Sequence, residues 1–276
     1  MTLTLEQLTE HAIRISQLAG EAIMTYYEKG DYEEFNKEDE SPVTSADYAA
    51  NEVVLAELHK LTPDIPIISE EVEGVQLAKR IDWPRYWLID PLDGTQEFVA
   101  GRGDFAVNIA LVENGKPVIG VIHAPVKKTT NWALKGKGSH KIVKGKTTQV
   151  KAKKIDPEKP YLRVAISRVQ TLETITKFIK PEIAIEFVSL GSCALKSCLV
   201  AEGIADIYIR VGPTGEWDTG APQIIVEEAG GCIIDSEFKP LTYNQRESLL
   251  NPDFMVVSDV TLDWTKVTIP HSSRRD

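Results

Sequence analysis

The sequence predicts a mixed α/β protein, with an α+β first half followed by an alternating α/β second half. Three observations predict it: a long helical apolar period at the start, β-rich runs joined by hairpin signals in the middle, and strand–helix alternation from Leu162 onward. With 276 residues, 42% of them hydrophobic and 26% charged, the chain has the length of two average domains or one large one and the apolar mass for a sizeable core. The Asp156-Pro157-Glu158-Lys159-Pro160 stretch is the expected boundary, dividing the chain into 1–155 and 156–276.

The elements follow in order. Thr4, with Gln7 three residues on, has the pattern of a capping box. Leu5, Leu8, Ala12, Ile15, Ala19, Ala22, Ile23 and Tyr26 then fall at helical spacing, and Gly30 marks the stop. Thr44 or Ser45 opens a second helix with Val53, Val54, Leu58 and Leu61 turned inward, closed by Thr62-Pro63-Asp64. Ile65 to Ser69 and Tyr86 to Ile89 are short apolar runs that lead into acids. Ala106 to Val112 and Val118 to His123 flank a hairpin loop, and Asn131 to Leu134 with Ser139 to Val143 continue the meander. In the second half Leu162–Ile166, Ala184–Ser189, Ile204–Ile209 and Cys232–Asp235 read as strands. Thr171–Ile179, Cys193–Glu202 and Thr219–Ala229 read as helices, the last stopped by Gly230-Gly231.

Composition narrows the function. Lys plus Arg is 31 and Asp plus Glu is 41, a net charge of −10, which argues against binding nucleic-acid polymers or anionic membranes through bare basic surface. No apolar run is long enough to span a bilayer, and the first residues have no signal-peptide character. Three cysteines are too few for a disulfide framework or a zinc cluster, and Cys193 and Cys198 read as packing thiols. None of the five histidines stands at metal-binding spacing. A soluble, reduced, cytoplasmic protein is expected. Lys135 to Lys154 holds eight lysines and no acids, which reads as a solvated, mobile hairpin and linker with charge-protected edges; a polyanion-binding patch is the alternative.

Chemistry concentrates where strands end in acids. Trp87-Leu88-Ile89 delivers Asp90 at a strand's carboxyl end, Pro91 and Gly94 force a tight turn, and Asp93 returns to the same mouth. Gly94 to Phe98 reads as the start of a short helix, whose free N–H groups suit a phosphate. Two hard carboxylates beside such an end describe a magnesium–phosphate site, with an aspartate-rich cap as the alternative. Glu70-Glu71 closes another apolar strand, though paired glutamates also occur as plain surface. Asp218 opens the strongest helix of the second half, where alone it reads as an N-cap.

These segments resemble the inositol monophosphatase superfamily of lithium-sensitive, magnesium-dependent phosphatases. Asp90-Pro91-Leu92-Asp93-Gly94-Thr95 and Trp217-Asp218 with Gly230-Gly231 are similar to its two signatures, and Ser41 to Asp47 and Ser69-Glu70-Glu71 to two further blocks. Thr95 to Phe98, Gly103 to Leu111, Gly120 to Pro125, Cys198 to Gly203, Gly212-Pro213-Thr214 and Arg246 to Pro252 resemble the CysQ-type 3'(2'),5'-bisphosphate nucleotidase branch. Three positions depart from that pattern. Gln96 stands where a lysine is usual, Gln170 near where a histidine often lies, and Ser192 to Lys196 is one residue longer than the common form.

The resemblance implies a layered αβαβα sandwich and hydrolysis of adenosine 3',5'-bisphosphate to AMP and phosphate in sulfur assimilation, with the sulfated relative as a further substrate. It implies a first magnesium on Glu70, Asp90 and the Leu92 carbonyl and a second on Asp90, Asp93 and Asp218. Glu71 would stand behind these and help a third. Asp47 and Thr95 resemble the water-activating pair, although Asp47 alone reads as a first-turn stabiliser. Gly94 and Thr95 N–H groups would hold the scissile phosphate. Glu70, Leu92, Asp93 and Asp218 would also border the substrate. Ser192, Lys196 and Arg210 are candidates for the phosphate that is not cut, with surface ion pairs as the alternative for the two cations. An inositol or sugar monophosphatase and a turnover-dead phospho-ligand sensor are the rival functions. A monomer or homodimer, with peripheral contact to the cytoplasmic face of the inner membrane, is left open.

Overall fold

The computed structural model describes residues 3–36, 42–72, 74–156, 158, 161–168 and 170–269. Ser41, residues 157, 159 and 160 of the expected boundary, and the tail from His271 to Asp276 lie outside the described residues.

The first helix, α1 (Leu5–Lys29), starts as its capping box dictates. Gln7 N–H donates to Thr4 Oγ1 at 3.3 Å, Thr4 N–H donates to Gln7 Oε1 at 2.9 Å, and Gly30 closes the helix at φ 64°. A small antiparallel pair, β1 (Glu34–Asn36) and β2 (Pro42–Thr44), leads into α2 (Ser45–Leu61), which carries a second capping box on Thr44 and Asp47. There follow β3 (Ile67–Ser69), the short α3 (Leu77–Arg80), β4 (Arg85–Asp93), α4 (Thr95–Val99), β5 (Ala106–Glu113), β6 (Lys116–Ala124), β7 (Thr129–Leu134), β8 (Ser139–Val143) and β9 (Lys146–Val150). β3 to β9 form a seven-stranded sheet in chain order, with β3 parallel to β4 and every later pairing antiparallel.

The second half supplies β10 (Tyr161–Ile166), α5 (Leu172–Thr176), β11 (Ala184–Ser189), α6 (Cys193–Ala201), β12 (Ile207–Arg210), α7 (Trp217–Ala229), β13 (Cys232–Asp235) and β14 (Phe254–Val257). Its five-stranded sheet has the order β11-β10-β12-β14-β13, parallel at β11-β10-β12 and antiparallel beyond.

Period-two alternation sorts these strands into layers. Trp87, Ile89, Ile109 and Val121 face α1 and α2, while Leu88, Ala110 and Ile122 face Ala221 and Ile224 of α7. Across the second sheet Ala165, Tyr208 and Val256 face the same middle layer, and Val164, Ile207 and Ile209 face Ile175 of α5. The result is helix, sheet, helix, sheet, helix, as expected. Both sheets share the middle core, to which α6 and α7 contribute Ala194, Leu195, Ile225 and Val226. Helix α7 lies so close on β6 that a Cβ at Gly120 would meet the Ala221 carbonyl oxygen at 2.5 Å.

One local expectation is met and two are corrected. The lysine-rich stretch forms the solvated hairpin expected of it, β8 paired with the largely exposed outer strand β9. Beside it Lys141 pairs with Glu202 at 2.8 Å and Lys137 with Glu6 at 3.2 Å. The helix expected to reach Ile179 stops at Thr176, because Phe178 and Ile179 make tighter turns and Ile179 bridges to Thr268. The strand expected from Ile204 starts at Ile207, since Ile204 and Ala205 N–H groups both turn back onto the Leu199 carbonyl. Finally, β1, β2, the short α3 and β14 have no counterpart among the expected elements.

Candidate active site

The site is built at the end of β4. The tight turn expected at Pro91 is instead a bulge: Asp90 pairs with Asn108 and Asp93 with Ala106, so the strand runs on to Asp93 through a register shift. Leu92 N–H donates to Asp90 Oδ1 at 3.0 Å and fixes that carboxylate inward. Gly94, at φ 104°, then swings the chain into α4, where a side chain would crowd the Asp104 carbonyl.

Helix α7 brings the third carboxylate from the second half. Asp218 lies within the first turn rather than at the N-cap, which Glu216 occupies, and Asp218 Oδ2 accepts from Gly215 N–H at 2.6 Å. One carboxylate oxygen each from Asp90, Asp93 and Asp218 lie within 4.8 Å of one another. Burial, then the neighbouring negative charges, push the Asp90 carboxyl well above the usual carboxylate range; burial and Asp93 do the same to Asp218. Asp90 Oδ2 is buried with no hydrogen-bond partner. Converging hard oxygens, one of them orphaned, fit a divalent cation bound through oxygen, whose charge would remove the repulsion.

Glu70 follows β3, its N–H donating to the Ile89 carbonyl at 3.1 Å, and lines the same cavity; its charge adds to the shifts at Asp90 and Asp218. Glu71 sits in the turn beyond, with its N–H on Ser69 Oγ at 3.4 Å, and its charge reaches Asp90. Ser69 is itself anchored, donating to Asn51 Oδ1 at 2.7 Å.

On the other side, α2 presents Asp47, which is 1% exposed. Thr44 N–H and hydroxyl donate to Asp47 Oδ2 at 2.8 and 2.6 Å, and Thr95 Oγ1 donates to Asp47 Oδ1 at 3.0 Å. Burial raises the Asp47 carboxyl, opposed by these three hydrogen bonds. Thr95 Oγ1 also stands 3.3 Å from the Leu92 carbonyl.

Asp93 points at α6. Its Oδ1 accepts from Cys193 N–H at 3.1 Å, and its Oδ2 from Ala194 N–H at 2.6 Å and Ser192 Oγ at 2.5 Å. One turn on, Lys196 is 3% exposed, with Nζ on the Ser192 carbonyl at 2.5 Å and 5.0 Å from the Tyr208 ring centre. Burial lowers its pKa. Arg210, at the end of β12, donates to the Pro213 carbonyl at 2.9 Å and keeps Nε buried without a partner. Neither cation has an ion pair among the described residues, so the surface-pair reading of both fails. The cavity, of about 240 Å³, is bordered by Glu70, Thr95 and Asp218 on its acidic side and Lys196 and Arg210 on its basic side.

Several site residues were not singled out. Tyr208, Ser167, Thr214 and Pro42 line the cavity. Pro42 and Thr214 fall within segments quoted for the family resemblance, whereas Tyr208 reads in sequence only as a strand residue between two isoleucines and Ser167 has no local signal. Behind the site, buried Glu97 and Asp104 gather Arg168, Arg102 at 3.3 Å and Lys127 at 2.9 Å, tying α4 to the loop after β10. Cys193 also lines the cavity, but burial pushes its thiol up to about 12, and Cys198 is buried likewise, so both are packing thiols.

Residues 4–264 match the inositol monophosphatase family. A 3'(2'),5'-bisphosphate nucleotidase CysQ of Aggregatibacter actinomycetemcomitans is 41% identical over 267 residues, covering 97% of this chain and 98% of its own length. The protein of the same name from Salmonella typhimurium is 44% identical over 250 residues, covering 90% and 99%. The crystal structure of CysQ from Bacteroides thetaiotaomicron superposes with a TM-score of 0.76 at 37% identity, over 91% of this chain and 96% of that one.

Proposed function

The chain belongs to the inositol monophosphatase family, and from that premise we propose that it is a magnesium-dependent 3'(2'),5'-bisphosphate nucleotidase. It hydrolyses adenosine 3',5'-bisphosphate to AMP and phosphate, with the sulfated relative as a second substrate. The observation that carries the reading is one cavity with a carboxylate cluster on one wall and, on the other, buried Lys196 and half-buried Arg210, neither ion-paired among the described residues. A phosphomonoester needs only the first wall. A substrate with a second phosphate uses both.

Glu70, Asp90 and the Leu92 carbonyl would hold one magnesium ion and Asp90, Asp93 and Asp218 a second, with Glu71 placed to help a third. When bound, such ions supply charge neutralisation and Lewis acidity at the reacting phosphate. The protein does the rest. Thr95 spends its own hydroxyl proton on Asp47 Oδ1, which leaves the Oγ1 lone pairs to accept a proton from water and aim that water's oxygen at phosphorus. Asp47 cannot swing away, because its second oxygen is held twice by Thr44. Gly94 and Thr95 N–H groups at the start of α4 donate to the phosphate oxygens. As water's oxygen bonds to phosphorus, its proton passes to Thr95 Oγ1 while the Thr95 proton moves to Asp47 Oδ1, and the bond to the ribose oxygen breaks on the opposite side, that oxygen taking a proton from solvent. Lys196 and Arg210 hold the remaining phosphate, and Arg210 can offer it two parallel N–H groups.

No described helix is long and apolar enough to cross a membrane, which is consistent with the proposed cytoplasmic place in sulfur assimilation. The test is phosphate release, with magnesium, from adenosine 3',5'-bisphosphate, inositol 1-phosphate and fructose 1,6-bisphosphate in parallel, then with lithium or calcium added. The bisphosphate nucleotide should be preferred and either added ion should inhibit. Preference for inositol 1-phosphate or the sugar overturns the substrate assignment, and tight nucleotide binding without turnover overturns the enzyme.

A further inference from the structure

We infer that Ser192 is a positioning residue that sets Asp93 for cation binding and couples the carboxylate cluster to the cationic wall, rather than a ligand of the substrate. The inference rests on the metal reading of the carboxylate cluster given above.

The first observation is conformational. Ser192 has φ 60° and ψ 137°, a region that glycine enters freely and serine does not. The chain keeps a serine there, directly after Gly191, so the side chain must provide something that a second glycine could not.

The second is the proton count. A serine hydroxyl has one proton to donate. Here it goes to Asp93 Oδ2 at 2.5 Å, while Leu195 N–H donates to the same Oγ at 3.0 Å. A phosphate dianion only accepts, so this hydroxyl has nothing left to give it. Ser192 is also 6% exposed.

The third is what Asp93 receives. Cys193 N–H, Ala194 N–H and the Ser192 hydroxyl together fix the carboxylate plane, and two of those donors are the first N–H groups of α6. The hydroxyl is the one side-chain donor of the three. On its other side, the Ser192 carbonyl accepts from Lys196 Nζ at 2.5 Å. One strained residue therefore touches both walls of the cavity. A shift of Asp93 toward a bound cation would be transmitted through Ser192 to the ammonium group one turn away.

The test uses metal-free protein and Mn²⁺ as the probe, with binding read from the electron paramagnetic resonance signal of the free ion and stability from the metal-free melting midpoint. The variants are Ser192→Gly, Asp93→Asn and the double substitution. Glycine relieves the backbone while deleting the hydroxyl, so Ser192→Gly should melt no lower than wild type yet bind Mn²⁺ about ten-fold more weakly or worse, as loss of a ligand-orienting partner does. In the Asp93→Asn background the same change should alter affinity by less than about two-fold. Ser192→Gly binding Mn²⁺ as wild type does, while Asp93→Asn is weakened, overturns the role of Ser192 alone. Additive losses with a lowered midpoint make it a helix cap only, and also overturn it. If Asp93→Asn binds Mn²⁺ like wild type, the carboxylates are not the cation site, and the underlying metal reading fails with the proposal.

Discussion

Thr95 donates its hydroxyl hydrogen to Asp47 across 3.0 Å, joining the first residue of α4 to the first turn of α2. In the proposed mechanism this bond decides which way the hydroxyl serves water. Thr95→Val keeps the shape and removes the acceptor, so kcat should fall by about 10²–10⁴ with little change in KM, while Thr95→Ser keeps most of the rate. Steady-state kinetics on adenosine 3',5'-bisphosphate check this. A Thr95→Val rate within ten-fold of wild type, about 1.4 kcal/mol, would remove Thr95 from the mechanism.

Burial and neighbouring negative charge disfavour the ionised forms of Asp90 and Asp218, a cost that the proposed cation would offset. Asp90→Asn should therefore abolish turnover yet raise the metal-free melting midpoint by about 2–4 °C, corresponding to roughly 1 kcal/mol in a chain of this size. It should also cancel most of the upward shift that added magnesium gives the wild type. Thermal melts with and without magnesium measure both. A lowered metal-free midpoint would show that Asp90 is a structural acid.

Arg210 faces the proposed second phosphate. Arg210→Ala should raise KM for the bisphosphate about ten- to hundred-fold, the loss of a charge-assisted pair of roughly 1.5–3 kcal/mol, with little effect on a monophosphate. Equal losses on the two substrates would refute that placement.

His123 gives a pH dependence away from the chemistry. Burial lowers its pKa from 6.5 to about 4, and its Nδ1 meets Thr130 Oγ1 at 2.9 Å. Between those two values the unfolded chain binds a proton that the folded one refuses, so stability rises with pH there. As pH falls from 6.5 to about 4 this group should cost up to about 3 kcal/mol, with no further slope from it below. Denaturant melts across pH 4–7 should show the slope reduced in His123→Gln. An unchanged slope would mean that the imidazole protonates in place.

Local chemistry was legible in the sequence wherever a few adjacent residues determine the outcome. Thr4 with Gln7 announced a helix start, Asn114-Gly115 a hairpin, and the Asp90 to Thr95 segment an acidic strand end. What stayed hidden depends on residues distant in the chain. Arg80 looks like one more surface cation on a short helix, yet it is 1% exposed, with its guanidinium on the carbonyls of Val75, Arg246 and Glu247 and on Asn244 Oδ1. Asn244 N–H in turn donates to Glu216 at the start of α7, so Arg80 braces the helix that carries Asp218. The alternative readings of Asp218 and Lys196, as helix cap and surface ion pair, failed for the same reason. Their surroundings are assembled by other elements.

The close seat of α7 against Gly120 has a consequence for how the molecule is made. A ribosome delivers the seven-stranded sheet well before it delivers α7, and until then Leu88, Ala110 and Ile122 have no helix to cover them. The nascent chain is therefore sticky on one face, which is the condition that recruits chaperones. Asp218 arrives on the same helix that covers the patch, so the proposed cation site is incomplete until then. Covering the apolar face and completing the carboxylate cluster are therefore tasks of one helix, α7.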